Sequence, residues 1–222
     1  MKRPLLTMTW EHVLFMHWEA DAEWLRRQLP PGVELDLYNG RAYIGLIPFF
    51  MTGIALTSLP RLTKLRFPEL NVRTYVKTPS GRGIYFFSLD ASHPLANIAA
   101  NTLFQLPYRK ASFNVSTDGP VHFQASRRLE KMDAVYAPCS PVFLPDKTSF
   151  AHWAVERYRF YTFGFRRWWA GDISHAPWHL QEASVSLRHN SMLDAYPAAG
   201  RMPDFYGRAA SVTAKSIRPF RT

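Results

Sequence analysis

The sequence is short of cysteine, of acid and of uninterrupted apolar stretches. A single cysteine, Cys139, in 222 residues rules out an internal disulfide and points to a reducing, cytoplasmic compartment. It lies between prolines in "APCSPVF" with no helix start beside it, and reads as an ordinary small buried side chain, not a nucleophile. Acids number 17 against 27 lysines and arginines, a net charge of +10. The cations are spread along the chain with no run of five, as in a basic soluble protein that would suit an anionic small molecule. "MKRPLLTMTWEH" has no apolar core or cleavage site of a signal peptide. The stretch 42–60 is charge-free, but Gly45, Pro48 and Gly53 interrupt it, so it reads as a strand and apolar loop and no membrane partner is expected. A Gly-rich phosphate loop, a Gly-x-Ser-x-Gly elbow and a dinucleotide fingerprint are all missing, which argues against nucleotide and serine-hydrolase chemistry.

What is present is aromatic and alternating. Hydrophobic residues make up 47% and aromatics 15%, and 17 prolines against 11 glycines suggest many short elements joined by stiff turns. In "TWEHVLFMHW" alternation places Trp10, His12, Leu14, Met16 and Trp18 on one strand face. Asp21 caps a short helix that stops at Pro30 and Pro31. "VELDLYNGRAYIGLIPFF" reads as a hairpin turning at Asn39-Gly40, and "ELNVRTYVKTPSGRGIYFFSLD" as a second, turning around Pro79 to Gly83. "ASHPLANIAANTLFQLP" is the clearest helix, capped by Ser92 and ended by Pro107. A third hairpin turns at "DGP", "TSFAHWAVERY" is a short helix, and "RFYTFGFRRWW" and "SVTAKSIRPF" are strand-like. The expectation is one α+β domain over 1–222, largely antiparallel.

Four stretches carry candidate chemistry. In "FPELNVRTYV" an extended strand puts Glu69, Asn71, Arg73 and Tyr75 on one face. Arg73 there can clamp a carboxylate, Asn71 position a carbonyl and Glu69 move a proton. Glu69 and Arg73 are about 13 Å apart at the strand rise, so each needs another partner: a neighbouring strand, water or a ligand. In "FQLPYRKASF", Lys110 beside Arg109 and Tyr108 has the ingredients of an activated amine, although adjacent cations are also common on exposed turns. "HAPWHLQ" spaces His175 and His179 as a helical zinc site would, but Pro177 between them opposes a helix, so no metal is expected and His175 and Trp178 read as a pocket rim. The basic and aromatic residues of "RYRFYTFGFRRWW" allow stacking on single-stranded nucleic acid, but without a framing motif a packed strand is the simpler reading.

The segments "RQLPPGVELDLYNGRAYIGLIPF", "FPELNVRTYV", "FFSLDA", "LPYRKA", "ERYRFY" and "HAPWHLQ" occur in the order seen in the YqjF-like bacterial family, which this chain resembles over nearly its whole length. The resemblance implies an acetoacetate decarboxylase-like fold: a curved, largely antiparallel β barrel or cone around an interior cavity, with a few peripheral helices. It also places Glu69 near a glutamate of the decarboxylase site. The decarboxylase's Schiff-base lysine directly follows a proline, in Pro-Lys-Lys; here Pro107 is followed by Tyr108, Arg109 and Lys110. Tyrosine forms no imine and arginine is too basic to form a working one.

The sequence thus leads to a pocket protein for a small anionic or carbonyl-bearing molecule. It has no cofactor, and homo-oligomerisation stays open. Glu69 and Lys110 are the candidate catalytic groups; Asn71, Arg73, Tyr108, Arg109, His175 and Trp178 are the candidate ligand contacts. Two classes remain at this point, an enzyme acting on a keto acid or similar carboxylate and a non-catalytic binding or sensing module. Schiff-base decarboxylation and nucleic-acid binding stand behind both.

Overall fold

The computed structural model describes residues 4–58, 65–93, 101–102 and 104–220. Strand follows strand with few interruptions. β1 (Leu6–Ala20) leads into α1 (Ala22–Gln28), whose N-cap Asp21 accepts from the Trp24 amide as its sequence position predicts. After β2 (Glu34–Leu35) come the long strands β3 (Ala42–Leu56), β4 (Leu65–Thr78) and β5 (Gly81–Ala91). β6 (Tyr108–Lys110), β7 (Ser112–Ser116), β8 (Val121–Arg127) and β9 (Glu130–Pro138) precede α2 (Phe150–Val155). β10 (Arg159–Gly164), β11 (Arg167–Ser174), β12 (Leu180–Asn190), β13 (Ala198–Arg201), β14 (Phe205–Ala214) and β15 (Arg218–Phe220) complete the chain.

The strands form one sheet, antiparallel except where β5 pairs with β10 and with β6. Its central pairings run β1–β3–β4–β5–β10–β11–β14, and β14 pairs β1 again. β1, β3 and β4 are buried on both faces. Leu14, Met16, Ile44, Leu46, Leu70 and Val72 join one apolar cluster, and Val13, Phe15, Ile47, Phe49, Phe67 and Tyr75 join the other. Burial on both faces explains why "AYIGLIPFFM" is a continuous apolar run instead of an alternating one.

Several sequence expectations are revised. The common face assigned to Trp10, His12, Leu14, Met16 and Trp18 is broken at His12. That residue has φ 52°, and the β1–β3 register slips by one between Glu11 and Met16. The bulge moves Val13 and Phe15 onto the face of Trp10 and turns Leu14 and Met16 to the other side. The Asn39-Gly40 turn forms, with φ 49° and 79° and reciprocal Tyr38–Arg41 backbone bonds, but the strand before it pairs with β4, Leu35 opposite Val76. The β4–β5 and β7–β8 hairpins appear as read. "RFYTFGFRRWW" is a hairpin of β10 and β11, turning at Phe165 and Arg166. Of the helix expected over 92–106, Asn101, Thr102 and Phe104 are helical, while 94–100 and 103 lie outside the described residues. Cys139 is exposed, with its thiol 3.4 Å from the Glu182 carbonyl, because the proline-bounded loop runs over the surface.

Candidate functional site

β4 supplies the floor of an interior cavity of about 520 Å³. Its alternation is intact from Glu69 to Tyr75, so Glu69, Asn71 and Arg73 face the cavity while Leu70, Val72 and Val76 pack into the opposite cluster. β1 gives Trp10 and Phe15, β3 gives Ile47 and Phe49, and β5 gives Phe86 and Leu89. Apart from these polar groups and a few on the rim, the wall is apolar.

At one end, Glu69 is 1% exposed and accepts a 2.9 Å hydrogen bond from the Tyr108 hydroxyl. Burial pushes the Glu69 carboxyl up to about 8; the Tyr108 bond opposes this and the Asp90 charge adds to it. Burial, then the Glu69 charge, raises the Tyr108 phenol well above its ordinary value. At neutral pH Glu69 is therefore largely protonated, a neutral acid with a proton to donate.

At the other end Arg73 is 7% exposed. Its Nη2 donates to the Ala154 carbonyl and to the Tyr75 hydroxyl, both at 3.3 Å, and it has no carboxylate partner among the described residues. Tyr75 in turn donates to Ala154 O at 3.0 Å and lies 2.6 Å from His17 Nε2. His17 is fully buried, and burial together with Arg73 and Arg157 lowers it well below its ordinary range, so it is neutral. Gly45 permits this packing, since a Cβ there would sit 3.1 Å from the His17 ring and 3.4 Å from Arg73 Cγ. Arg157 Nη1 is bound to Asp36 at 2.6 Å and its Nε to the Trp153 carbonyl at 2.6 Å. Five residues of the cavity wall each carry a buried atom without a hydrogen-bond partner among the described residues: Trp10 Nε1, Asn71 Oδ1, Arg73 Nε, Arg157 Nη2 and His175 Nε2. Buried polar atoms are rarely left so, and each carries a desolvation cost that no bond in the wall offsets.

The other expected residues divide. Tyr108, His175 and Trp178 line the cavity. Trp178 is buried and stacked on Trp10 at 6.4 Å, while His175 Nδ1 lies 2.7 Å from the Ala176 carbonyl. Arg109 and Lys110 are exposed on β6 and do not line the cavity. Arg109 alternates away from Tyr108, toward the Asp90 side of β5. Among the described residues the cavity wall contains no lysine, and no cluster of three or more His, Cys, Asp or Glu could hold a metal. Sequence reading missed His17, the Tyr75 hydroxyl's place between Arg73 and His17, Trp10 and Arg157. Their segments are far apart in the chain, and only the β1–β3–β4 pairing and α2 bring them together.

The mostly antiparallel sheet has the fold of the acetoacetate decarboxylase-like proteins. The chain superposes on the enduracididine biosynthesis enzyme MppR complexed with pyruvate with a TM-score of 0.72 at 13% identity, covering 99% of this chain and 91% of that one. It superposes on acetoacetate decarboxylase from Legionella pneumophila subsp. pneumophila str. Philadelphia 1 with a TM-score of 0.68 at 10% identity, covering 98% and 88%. Within that fold the chain belongs to the DUF2071 family, described as an uncharacterized conserved protein, whose profile matches residues 7–210. The protein YqjF of Bacillus subtilis (strain 168) is 41% identical over 197 residues, 86% of this chain and 81% of that protein. No described helix is long and apolar enough to cross a membrane.

Proposed function

We propose that the cavity binds a small organic acid with an apolar body, its carboxylate at Arg73, an adjacent carbonyl within reach of Asn71, and its far end towards the Glu69 acid. The observation that carries this reading is Arg73: a guanidinium 7% exposed with no carboxylate partner among the described residues, facing an otherwise apolar wall. A buried charge without a counter-ion is costly, and a ligand carboxylate supplies one. The volume, about 520 Å³, lies in the ordinary range for small-molecule sites. The fold neighbour MppR has been seen with pyruvate, a 2-oxo acid, which supports the same class of ligand here.

Glu69 favours a reaction over simple retention. A carboxyl near 8 is suited to giving or taking one proton at neutral pH. A ligand long enough to reach from Arg73 to Glu69 would present there an oxygen to take that proton, or an acidic C–H to give one to the carboxylate form. Lys110, a candidate catalytic amine from sequence, is not part of this reading, because it lies outside the cavity wall.

Trp10 and Trp178 report the test. Quenching of their fluorescence is followed during titration with phenylpyruvate, 3-phenylpropionate and 3-phenylpropanol. The reading predicts saturable binding of both acids, tighter for the 2-oxo acid and at least tenfold weaker for the alcohol. Equal binding of all three, or no saturable response to the acids, would overturn it.

A further inference from the structure

Beside the cavity lies an open groove of about 920 Å³ between α2, the end of β11 and the residue after β14. Arg157, Arg159 and Ile173 line both spaces, so one wall separates them. The groove differs sharply in chemistry from the cavity. Lys147, Lys215, Arg82, Arg157 and Arg159 face it with only Glu156 and Asp172 as acids.

Both acids are already engaged. Glu156 accepts from the Trp178 amide at 2.7 Å and from the Tyr158 hydroxyl, and Asp172 is paired with Arg159 and Arg218, each at 2.6 Å. The donors are not. Neither the Lys147 nor the Lys215 ammonium has an ion-pair or hydrogen-bond partner among the described residues. Arg157 is 4% exposed and held at Nη1 by Asp36 and at Nε by the Trp153 carbonyl, yet its Nη2 is unpartnered; so is the indole Nε1 of Trp153, 7% exposed. Acids satisfied and donors left over is the pattern of a site for an anion.

We propose that this groove binds a phosphate group, with Lys147 and Lys215 as its direct cationic contacts and Arg82, Arg157 and Arg159 adding positive charge to the wall. A tetrahedral dianion carries more charge and more acceptor oxygens than a carboxylate, and two unpaired ammonium groups suit it better. The phosphate can be free or the ester group of a small organic molecule, since the groove is open enough for either. This inference does not depend on what the interior cavity binds.

The test is calorimetric titration of the full chain with inorganic phosphate and with glycerol 3-phosphate at fixed ionic strength, on wild type and on the Lys147→Ala/Lys215→Ala variant. Neither probe has an apolar body, so neither reports the cavity. The proposal predicts saturable binding that weakens at least tenfold in the variant, while phenylpyruvate titrates both proteins alike. A tighter ester identifies an organic phosphate as the ligand, and equal affinity identifies free phosphate. Absence of saturable binding of both probes, or unchanged affinity in the variant, would overturn the proposal.

Discussion

Two buried arginines on opposite sides of the sheet are almost equally hidden, 7% exposed for Arg73 and 6% for Arg127, yet their surroundings have nothing in common. Arg127 grips Asp90 with Nη1 at 2.7 and 3.0 Å and meets Glu130 with Nε at 2.6 Å. Arg73 has a phenol, a backbone carbonyl, an unpartnered Nε and an apolar cavity before it. The first arrangement is closed and contributes to holding β5, β8 and β9 together. The second is complete only when something with negative charge enters. Burial alone does not separate a structural cation from a binding one; the state of its donors does.

The comparison breaks first at Arg127. Arg127→Met strands Asp90, which is fully buried, and should cost about 3–5 kcal/mol in urea unfolding, with much of the loss recovered when Asp90→Asn is added. A small loss would mean that the pair is no more structural than Arg73.

Glu69 gives the next effect. Its folded value of about 8 lies above its ordinary 4.5, so between those pH values the folded chain holds a proton that the unfolded chain has released. Stability from this group is therefore greatest below about 4.5 and falls as pH rises towards 8, by up to ~1.4 kcal/mol per pH unit. Unfolding curves of wild type and Glu69→Gln at pH 5 and pH 8 should diverge with that sign, wild type losing more on the alkaline side. Parallel behaviour of the two proteins would place Glu69 in a better-solvated site than its contacts indicate.

The smallest effect belongs to Lys110. Its ammonium is exposed on β6, so Lys110→Met should change stability by less than about 0.5 kcal/mol and leave phenylpyruvate binding unaltered. A loss of binding there would move the site's chemistry to the other side of Tyr108.

How much of this was legible depended on whether alternation survived. On β4 it did, and the row Glu69, Asn71, Arg73 was read directly from spacing. On β1 a single left-handed residue, His12, shifted the pattern by one, and no local signal distinguishes a bulged histidine from an ordinary one. Local turns such as Asn39-Gly40 were readable because they depend on two residues, whereas the partner of β2 depends on a strand some forty residues away. For the same reason His17 and Arg157 escaped detection, and Tyr75 was read only as a member of the β4 row: each acquires its role through long-range pairing. The Tyr108-Arg109-Lys110 turn showed its limits differently. Its composition suggested an amine site, but only Tyr108 lines the cavity: Arg109 alternates away, and Lys110, at the end of β6, is exposed.

The central claim is that Arg73 is held for a carboxylate. Calorimetric titration of phenylpyruvate into wild type and Arg73→Met, with a urea unfolding curve of each, tests it most directly. The account predicts affinity at least thirtyfold weaker in the variant, about 2 kcal/mol, with stability unchanged or improved because an unpaired buried charge has been replaced by an apolar side chain. Unchanged affinity, or a loss of stability as large as that of Arg127→Met, would contradict it and make Arg73 a structural cation like its counterpart across the sheet.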